Sequence, residues 1–205
     1  MPRTPSRRSR VAVAAALVLT AATAGCGGGG GSSSSSAASS PTAPTTPANP
    51  RVPATIGLTS PAVASGRAIP KQYTCDGLDS PPPLRWSGLP AGTAELALLL
   101  EDLNSRGDSG GPFVHWSVFA IPPSAAQVPS GGVKRGTNDF HELGYGGPCP
   151  PDNDPAHHYV FTLYALRAPL DVPDGSPPAD LRAAIARAAL AQGRLAVTYT
   201  RGGGE

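Results

Sequence analysis

Aromatic and charged residues are scarce in this chain, and sulfur is scarcer still. Of 205 residues, 5% are aromatic and 15% are charged, and the chain has one methionine and three cysteines. The charged residues form no basic stripe, which argues against binding to a nucleic-acid backbone. No Cys-x-x-Cys pair occurs, so the sequence lacks the usual spacing of structural zinc ligands or of a dithiol redox site.

Long hydrophobic runs are absent too. The longest apolar stretch, residues 11–22, is too short to span a bilayer as a stable helix. It follows four arginines within residues 3–10 and precedes the small residues Thr23, Ala24 and Gly25. A basic start, a short apolar core and a small-residue cleavage site are typical of a secretory signal peptide, which we predict over residues 1–25.

Cys26 directly follows the predicted signal peptide. The small-small-Cys ending is similar to a bacterial lipobox, with Thr23 where leucine is usual. We therefore expect cleavage before Cys26, a lipid on its thiol, and a lipoprotein anchored to the outer face of a bacterial cell membrane. A secreted protein or an uncleaved anchor is the alternative. Cleavage would change 16 basic and 14 acidic residues to 12 and 14, a net charge of about −2.

Three further segments follow. Residues 26–53 are rich in glycine and serine, then in proline, threonine and alanine. They have almost no large apolar side chains to offset the entropy lost on ordering, so we predict a disordered tether. Residues 54–201 are long enough for one well-buried domain. Residues 202–205 form a short tail.

The domain is predicted to be mainly β. Short apolar runs bounded by turn residues predict strands over residues 93–101, 113–121, 157–166 and 195–200. In the second run, Val114, Trp116 and Val118 alternate with Phe113, Phe119 and Ile121 around His115, and apolar residues on both faces indicate an interior strand. Short strands and long Pro/Gly-rich loops favour a Greek-key β-sandwich.

One short helix is predicted near the C-terminus. Ser176 is a suitable N-cap and Pro177 suits the first helical position. Asp180 would lie in the first turn, and Gly193 could end the helix. The apolar stripe consists of Leu181, Ala184, Ile185 and Ala188.

Five motifs occur in order along the domain. They are Thr74-Cys75-Asp76-Gly77, Ser80-Pro81-Pro82-Pro83-Leu84-Arg85-Trp86, Leu98-Leu99-Leu100-Glu101-Asp102, His115-Trp116 leading to Ile121-Pro122-Pro123, and the Gly/Pro-rich stretch 144–159. Together they resemble the phosphatidylethanolamine-binding protein family, in particular its bacterial Raf kinase inhibitor-like branch, over residues 56–201. The resemblance implies a compact β-rich domain with a small anion pocket, with no established catalysis in most members.

The resemblance also suggests the site. Asp102, placed where a strand ends at a turn, and His115 match family positions that line the pocket. His157 and Tyr159 match a family His-Arg-Tyr motif and share one face of a strand. Gly146 and Gly147 could offer backbone N–H donors, Pro148 shapes the wall, and Tyr145 forms the rim or donates a hydroxyl. His158 alternates to the other face and is predicted to be structural; His141 has no assigned role.

These residue types suit a small anion. Two histidines beside a carboxylate could each donate a hydrogen bond to a phosphate, phosphomonoester or carboxylate, and Tyr159 adds a hydroxyl. We predict a lipid-tethered binding module for an anion or phospholipid head group, without catalytic residues or cofactor. It could modulate a protein partner such as a kinase or protease.

Two enzymatic hypotheses stay open. Asp102, His115 and His157 could serve as three zinc ligands of a metallohydrolase, with an open position for water. A Ser-His-Asp hydrolase would need a serine on a strand-to-helix elbow, whereas Ser65, Ser87 and Ser109, each followed by glycine, are predicted as turns.

Two cysteines remain if Cys26 is lipidated. An exported compartment permits disulfides, so we predict a bond between Cys75 and Cys149. It would connect the Cys75-Asp76-Gly77 segment to the loop that carries the pocket. Two reduced thiols, one of them reactive or metal-binding, are the alternative.

Overall fold

The computed structural model describes residues 52–202. The predicted signal peptide, Cys26 and almost all of the predicted tether lie outside these residues. The last part of the tether prediction is wrong, because Val52 is buried and its carbonyl accepts a hydrogen bond from Gln192 Nε2 at 3.2 Å. The packed domain therefore includes Val52 and Pro53, whose carbonyl accepts from the Gln192 backbone N–H.

The domain contains seven strands, one α-helix and a short 3₁₀ turn at Lys71–Tyr73. In chain order they are β1 (Gly57–Thr59), β2 (Arg85–Ser87), β3 (Glu95–Arg106), β4 (Pro112–Ile121), β5 (Lys134–Arg135), β6 (His157–Leu166), α1 (Pro178–Ala188) and β7 (Ala189–Tyr199). The prediction of a mainly β domain with a short helix near the C-terminus is confirmed.

The main sheet has a Greek-key order. Five strands pair antiparallel in the order β5-β4-β3-β6-β7, and β1 pairs with β2 in a separate two-stranded sheet. Strands β3, β4 and β5 follow one another, and β6 returns through a long connection to lie beside β3. That spatial order defines the Greek key. Neither sheet closes on itself.

Strand β3 is the centre of the sheet because both of its faces are covered. Its first eight residues are all buried. Leu96, Leu98 and Leu100 join the larger apolar cluster, which includes Leu58 of β1. Ala97 and Leu99 face the opposite cluster, which contains residues of α1. Strict alternation of two apolar faces thus stacks the small sheet on one side and the helix on the other.

Helix α1 differs from the prediction at both ends. Pro177 is the N-cap and Pro178 the first helical residue, while the Ser176 hydroxyl donates to the Pro173 carbonyl at 2.7 Å. Gly193 does not end the helix but lies within β7. A Cβ at Gly193 would come within 2.5 Å of the Ile56 carbonyl oxygen, so close backbone packing accounts for this glycine. The predicted first-turn position of Asp180 and the burial of Leu181, Ala184 and Ile185 are confirmed, while Ala188 is half-buried.

Strand β4 departs from simple alternation at two bulges. Leu100 pairs with Trp116 and Glu101 with Val114, which leaves His115 without a partner in β3. A second irregularity includes Ala120, which has a φ of 57°. The alternation prediction placed Ile121 with Phe119, but Ile121 packs in the larger cluster and Phe119 in the other. An extra residue reverses the face of everything after it.

Candidate functional site

Asp102 and His157 form a buried pair on neighbouring strands. Asp102 of β3 pairs in register with Tyr159 of β6, and His157 begins β6. His157 Nδ1 lies 2.7 Å from Asp102 Oδ2, and their side chains are only 10% and 3% exposed. Asp102 was predicted to lie where its strand ends, but β3 continues to Arg106, so that prediction is wrong. The carboxylate fixes Nδ1 as a donor and leaves the ring's Nε2 for other contacts.

The segment after Asp102 holds its carboxylate in place. The Asn104 N–H donates to Asp102 Oδ1 at 2.8 Å, and the Ser105 hydroxyl donates to Asp102 Oδ2 at 3.2 Å. Asn104 Oδ1 also accepts the His158 N–H at 2.8 Å and lies 3.2 Å from the His158 ring, which supports the structural role expected for His158. Asn104 and Ser105 were not predicted as site residues, although an Asp followed by small polar residues is a recognisable local pattern.

Asp154 is a second carboxylate beside His157. Its Oδ2 lies 3.6 Å from His157 Nε2, so a carboxylate stands near each ring nitrogen. Asp154 is about half exposed and belongs to the Asp-Asn-Asp-Pro turn, in which Asn153 has a φ of 67°. The spacing of three residues to His157 in that turn was the only signal for it in the sequence.

His115 is a buried ring whose donor is already used. Its Nδ1 lies 3.0 Å from each of the carbonyl oxygens of Gly146 and Gly147, and carbonyls can only accept. Burial lowers the pKa of His115, although nearby Asp102 acts in the opposite direction. A neutral ring that donates from Nδ1 has an acceptor at Nε2. In this tautomer His115 would accept a hydrogen bond from a ligand rather than donate one to an oxyanion, as predicted for it above.

Tyr159 provides the donor that the site lacks elsewhere. Its side chain is fully buried, and its hydroxyl has no hydrogen-bond partner among the described residues. The His115 ring packs edge-on to Tyr159, with 5.2 Å between ring centroids. Burial, and then the nearby charge of Asp102, raise the pKa of Tyr159 well above its ordinary value. The Asp102 carboxylate and the Cys149 backbone lie near the hydroxyl, but neither forms a hydrogen bond of good geometry with it. The hydroxyl thus keeps its proton and can turn to a ligand.

The two glycines predicted as an anion cradle have other partners. The Gly146 N–H donates to the His115 carbonyl at 2.9 Å, and the Gly147 N–H donates to Asp79 Oδ1 at 2.6 Å. These two N–H groups are therefore not free for an anion, and that prediction is wrong. The glycines are needed for space, because a Cβ on Gly147 would come within 2.7 Å of the Tyr73 carbonyl oxygen.

Tyr145 and Pro148, which flank these glycines, form the wall of the site and offer no free hydrogen-bond donor to a ligand. The Tyr145 hydroxyl donates to the Tyr73 carbonyl at 2.6 Å, so the predicted second hydroxyl is also engaged. Burial raises the pKa of Tyr145, which keeps this donor protonated. Pro148 is buried, as a wall residue should be, and its carbonyl accepts the Cys75 N–H at 3.3 Å.

The predicted disulfide is confirmed. Cys75 and Cys149 are bonded at 2.08 Å, with 5.5 Å between their Cα atoms. The bond joins the segment that follows the 3₁₀ turn to the loop whose carbonyls hold His115. Together with the Tyr145–Tyr73 and Cys75–Pro148 hydrogen bonds, it fixes that loop at several neighbouring points.

An aromatic rim that the sequence reasoning did not include surrounds His115. Phe113 and Phe140 have ring centroids 5.0 and 5.2 Å from the His115 ring, and 4.8 Å from each other. Phe140 is 40% exposed. Asp139, beside it, accepts the Val114 N–H at 2.6 Å and so holds the loop against β4. His141 lies outside the site, exposed and 3.5 Å from Asp108.

Known proteins share this fold and much of this sequence. The family model described as phosphatidylethanolamine-binding protein matches residues 59–200, more than half of the chain. The chain belongs to the phosphatidylethanolamine-binding protein family. "Putative lipoprotein LppC" of Mycobacterium tuberculosis H37Rv is 43% identical over 147 residues, covering 69% of this chain and 71% of that protein. A UPF0098 protein of Aquifex aeolicus is 36% identical over 157 residues, covering 72% and 90%.

A solved structure of the same family agrees with the fold. YbcL of Escherichia coli, described as a new member of the mammalian family, superposes with a TM-score of 0.66 at 28% identity. The match covers 72% of this chain and 99% of YbcL. Members of the phosphatidylethanolamine-binding protein family are generally binding proteins without catalysis, and this chain has their binding fold.

The enzymatic hypotheses find no support in the site. Within residues 52–202, no three His, Cys, Asp or Glu side chains are grouped as metal ligands. Ser109 lies in Gly107-Asp108-Ser109-Gly110-Gly111, which has the spacing of a nucleophile elbow, but this segment is the turn between two strands. Its hydroxyl accepts Arg182 Nη1 at 2.9 Å. The same described residues include no helix long and apolar enough to cross a membrane.

Proposed function

We propose that this protein is a lipid-anchored, extracytoplasmic binding module for a small oxyanion that carries its own hydrogen, such as hydrogen phosphate or the monoanion of a phosphate monoester. The histidine site, defined as Asp102, His115, His157 and Tyr159, is where the anion would bind. The observation that carries the proposal is the buried Tyr159 hydroxyl without a partner. A buried hydroxyl left unpaired costs stability, so its presence beside a His–Asp pair favours a ligand as its partner.

The donors and acceptors of the site favour one kind of anion. Tyr159 can donate, and a charged His157 ring can donate from Nε2, for which an anion would compete with Asp154 at 3.6 Å. Asp102 and the Nε2 atom of His115 can only accept while the His115 ring is neutral. A fully deprotonated oxyanion has only acceptor oxygens, so it could not form hydrogen bonds with Asp102 or with His115 Nε2 and would be repelled by their lone pairs. A phosphate or phosphomonoester bearing a P–OH group could donate to one acceptor and accept from Tyr159.

Phosphate and sulfate provide a matched test, because they have similar size and shape but only phosphate carries hydrogen near neutral pH. We expect saturable shifts of the His115 and His157 ring signals in an NMR titration of the purified protein with inorganic phosphate. Sulfate should bind about 10-fold more weakly, because a lone pair facing an acceptor forfeits a charge-assisted hydrogen bond. Phosphoethanolamine in a third titration tests the head group in its free monoester form.

The control signal is His141, which is exposed and outside the site. Equal affinity for phosphate and sulfate would contradict the role given to Asp102 and His115 as acceptors. The absence of any shift in the His115 and His157 ring signals would contradict the anion site itself. The variant Asp102→Asn should reduce the preference for phosphate, because its amide can donate to sulfate where the carboxylate cannot.

The anchoring part of the proposal rests on Cys26 and on a relative. LppC, a relative at 43% identity, carries "lipoprotein" in its name. The pattern Thr23-Ala24-Gly25-Cys26 is the matching feature here. Expression in a lipoprotein-processing bacterium with an alkyne fatty acid should label the wild-type protein and leave Cys26→Ser unlabelled. Label retained in Cys26→Ser would refute anchoring at this residue, and an unlabelled wild-type protein in the medium would indicate secretion.

A protein partner would be reached through the same module. In this proposal the tether holds the domain off the membrane, and an anionic group on a partner, or the occupied site, provides the contact. The kinase or protease partners expected from the family resemblance stay predictions. Pull-down of a partner that is lost in Tyr159→Phe, but kept in a surface variant, would support this extension.

A further inference from the structure

A groove of about 550 Å³ has Gly144 and Tyr145, which directly precede Gly146, among its lining residues. Most of its lining residues are apolar, among them the run Pro81 to Pro83, Trp116, Val128 and Leu143, although polar atoms form nearly half of its surface; we call it the proline groove. Trp116 and Tyr145 pack edge-on within it at 5.4 Å between ring centroids. None of the four histidine-site residues lines it. Its volume falls in the range of small-molecule sites.

The charge of the proline groove has one sign. Arg135 is the only charged residue among those that line it. The backbone N–H of Arg135 bonds to Asp174, but its guanidinium makes no ion pair or hydrogen bond with the residues that the structure describes. Leu143 at the rim is 56% exposed. An apolar surface with one free cation and no acid is complementary to an apolar molecule with one negative group.

We propose that the proline groove is a second ligand site, which binds a small aromatic carboxylic acid. The flat ring would pack against Trp116 and the proline rings, and its carboxylate would pair with Arg135. Aromatic rings pack favourably edge-on or offset, and a guanidinium fork suits a carboxylate. This inference goes beyond the anion site, since the two sites use different residues and can be tested apart.

The test uses indole-3-acetate and its uncharged analogue indole-3-acetamide, titrated by calorimetry into the purified protein. We expect saturable binding of the acid and at least about 10-fold weaker binding of the amide, because one charge-assisted bond is lost. Arg135→Gln should weaken binding of the acid by a similar factor and leave that of the amide unchanged. Arg187→Gln, an exposed arginine of α1, is the matched control and should change neither.

The position of bound indole-3-acetate can be determined by NMR from the indole N–H signals of the two tryptophans of the chain. The indole N–H signal of Trp116 should shift on binding, while that of Trp86, whose Nε1 is buried outside the groove, should stay unchanged. His157→Ala should keep affinity for indole-3-acetate, so that failure of the anion site and failure of the groove are distinguishable. Equal affinities for acid and amide, or an unshifted Trp116, would overturn the proposal.

Other occupants give different results. A synthetic peptide of residues 41–53, in which proline recurs at every third position, would displace indole-3-acetate if the groove binds the chain's own tether. Tight binding of that peptide by a protein that ignores indole-3-acetate would overturn the assignment to a small acid. Self-association abolished by Leu143→Ser, again without binding of the acid, would assign the groove to a second copy.

Discussion

Replacing Tyr159 by phenylalanine removes a single oxygen atom and distinguishes the effect of the hydroxyl on ligand binding from its effect on stability. The tyrosine is fully buried and its hydroxyl has no partner within the described residues. Burying such a hydroxyl costs on the order of 1–3 kcal/mol. Tyr159→Phe removes that cost and keeps the ring that packs against His115. We therefore expect the free energy of unfolding without ligand to stay constant or to rise by about 1 kcal/mol.

The same substitution should weaken phosphate binding. A hydrogen bond from a neutral donor to a charged acceptor contributes about 1.5–3 kcal/mol. At tenfold per 1.4 kcal/mol, loss of that bond reduces affinity roughly 10- to 100-fold. Urea unfolding in phosphate-free buffer measures the stability, and calorimetric titration with phosphate measures the affinity. Opposite effects on the two quantities are the expected signature of a hydroxyl kept for a ligand.

Tyr145→Phe is the matched control. Its hydroxyl donates to the Tyr73 carbonyl at 2.6 Å, so its loss leaves a carbonyl unpaired and should cost about 1–2 kcal/mol of stability. Phosphate affinity should change little, because this hydroxyl faces away from the ligand. If Tyr159→Phe is instead destabilised as much as Tyr145→Phe and binds phosphate normally, its hydroxyl is satisfied within the fold and the reasoning is refuted.

Three further predictions concern stability. Reduction of Cys75–Cys149 should lower the free energy of unfolding by about 4 kcal/mol, since it opens a loop spanning 74 residues; an unchanged urea midpoint under reductant would contradict this. Burial lowers the pKa of His115 in the folded state, so unfolding should take up a proton as pH falls below about 6.5. The free energy of unfolding should therefore decline as pH falls below about 6.5, and it should decline less steeply in His115→Gln than in the wild-type protein. Equal slopes in the two proteins would show that the His115 ring is not the group responsible. Gly193→Ala should destabilise by roughly 1–3 kcal/mol through its clash with Ile56, and a wild-type melting curve would disprove the close packing.

Much of the fold could be predicted from local pattern. Residues 157–166 were predicted as a strand, and β6 has these bounds, because a run of buried β-branched and aromatic residues leaves few alternatives. The helix was placed by its buried stripe, Leu181, Ala184 and Ile185. Its ends were not, because Ser176 can donate as well as cap and bonds to the Pro173 carbonyl instead.

The bulges could not be predicted from alternation. A strict period of two would place His115 and Trp116 on opposite faces, yet His115 packs against Tyr159 in the cluster that also contains Trp116. The irregularity depends on pairing with β3, which is a long-range interaction without a local signature. The same applies to the length of β3, because its last residues belong to the strand through the pairing of Arg106 with Pro112 of β4, after a register shift.

The family resemblance identified the site residues but not their hydrogen bonds. Residue types indicated two histidine donors and two glycine N–H donors. Each glycine N–H turned out to have a partner within the fold, and the His115 donor is used by the two glycine carbonyls. Donor and acceptor roles depend on which groups the backbone has already paired, and that pairing is a property of the folded loop.

The bulge at His115 connects the two proposed sites. His115 lies in the histidine site, and the next residue, Trp116, lines the proline groove. The same relation holds on the facing loop, where Tyr145 contacts Trp116 and the Gly146 carbonyl accepts from His115 Nδ1. A ligand that moved Trp116 or Tyr145 would therefore change the carbonyl pair that sets the His115 tautomer. Coupling between the sites would act through the contacts of His115 Nδ1 with this carbonyl pair, and by linkage an anion in the first site would alter affinity in the second by the same factor.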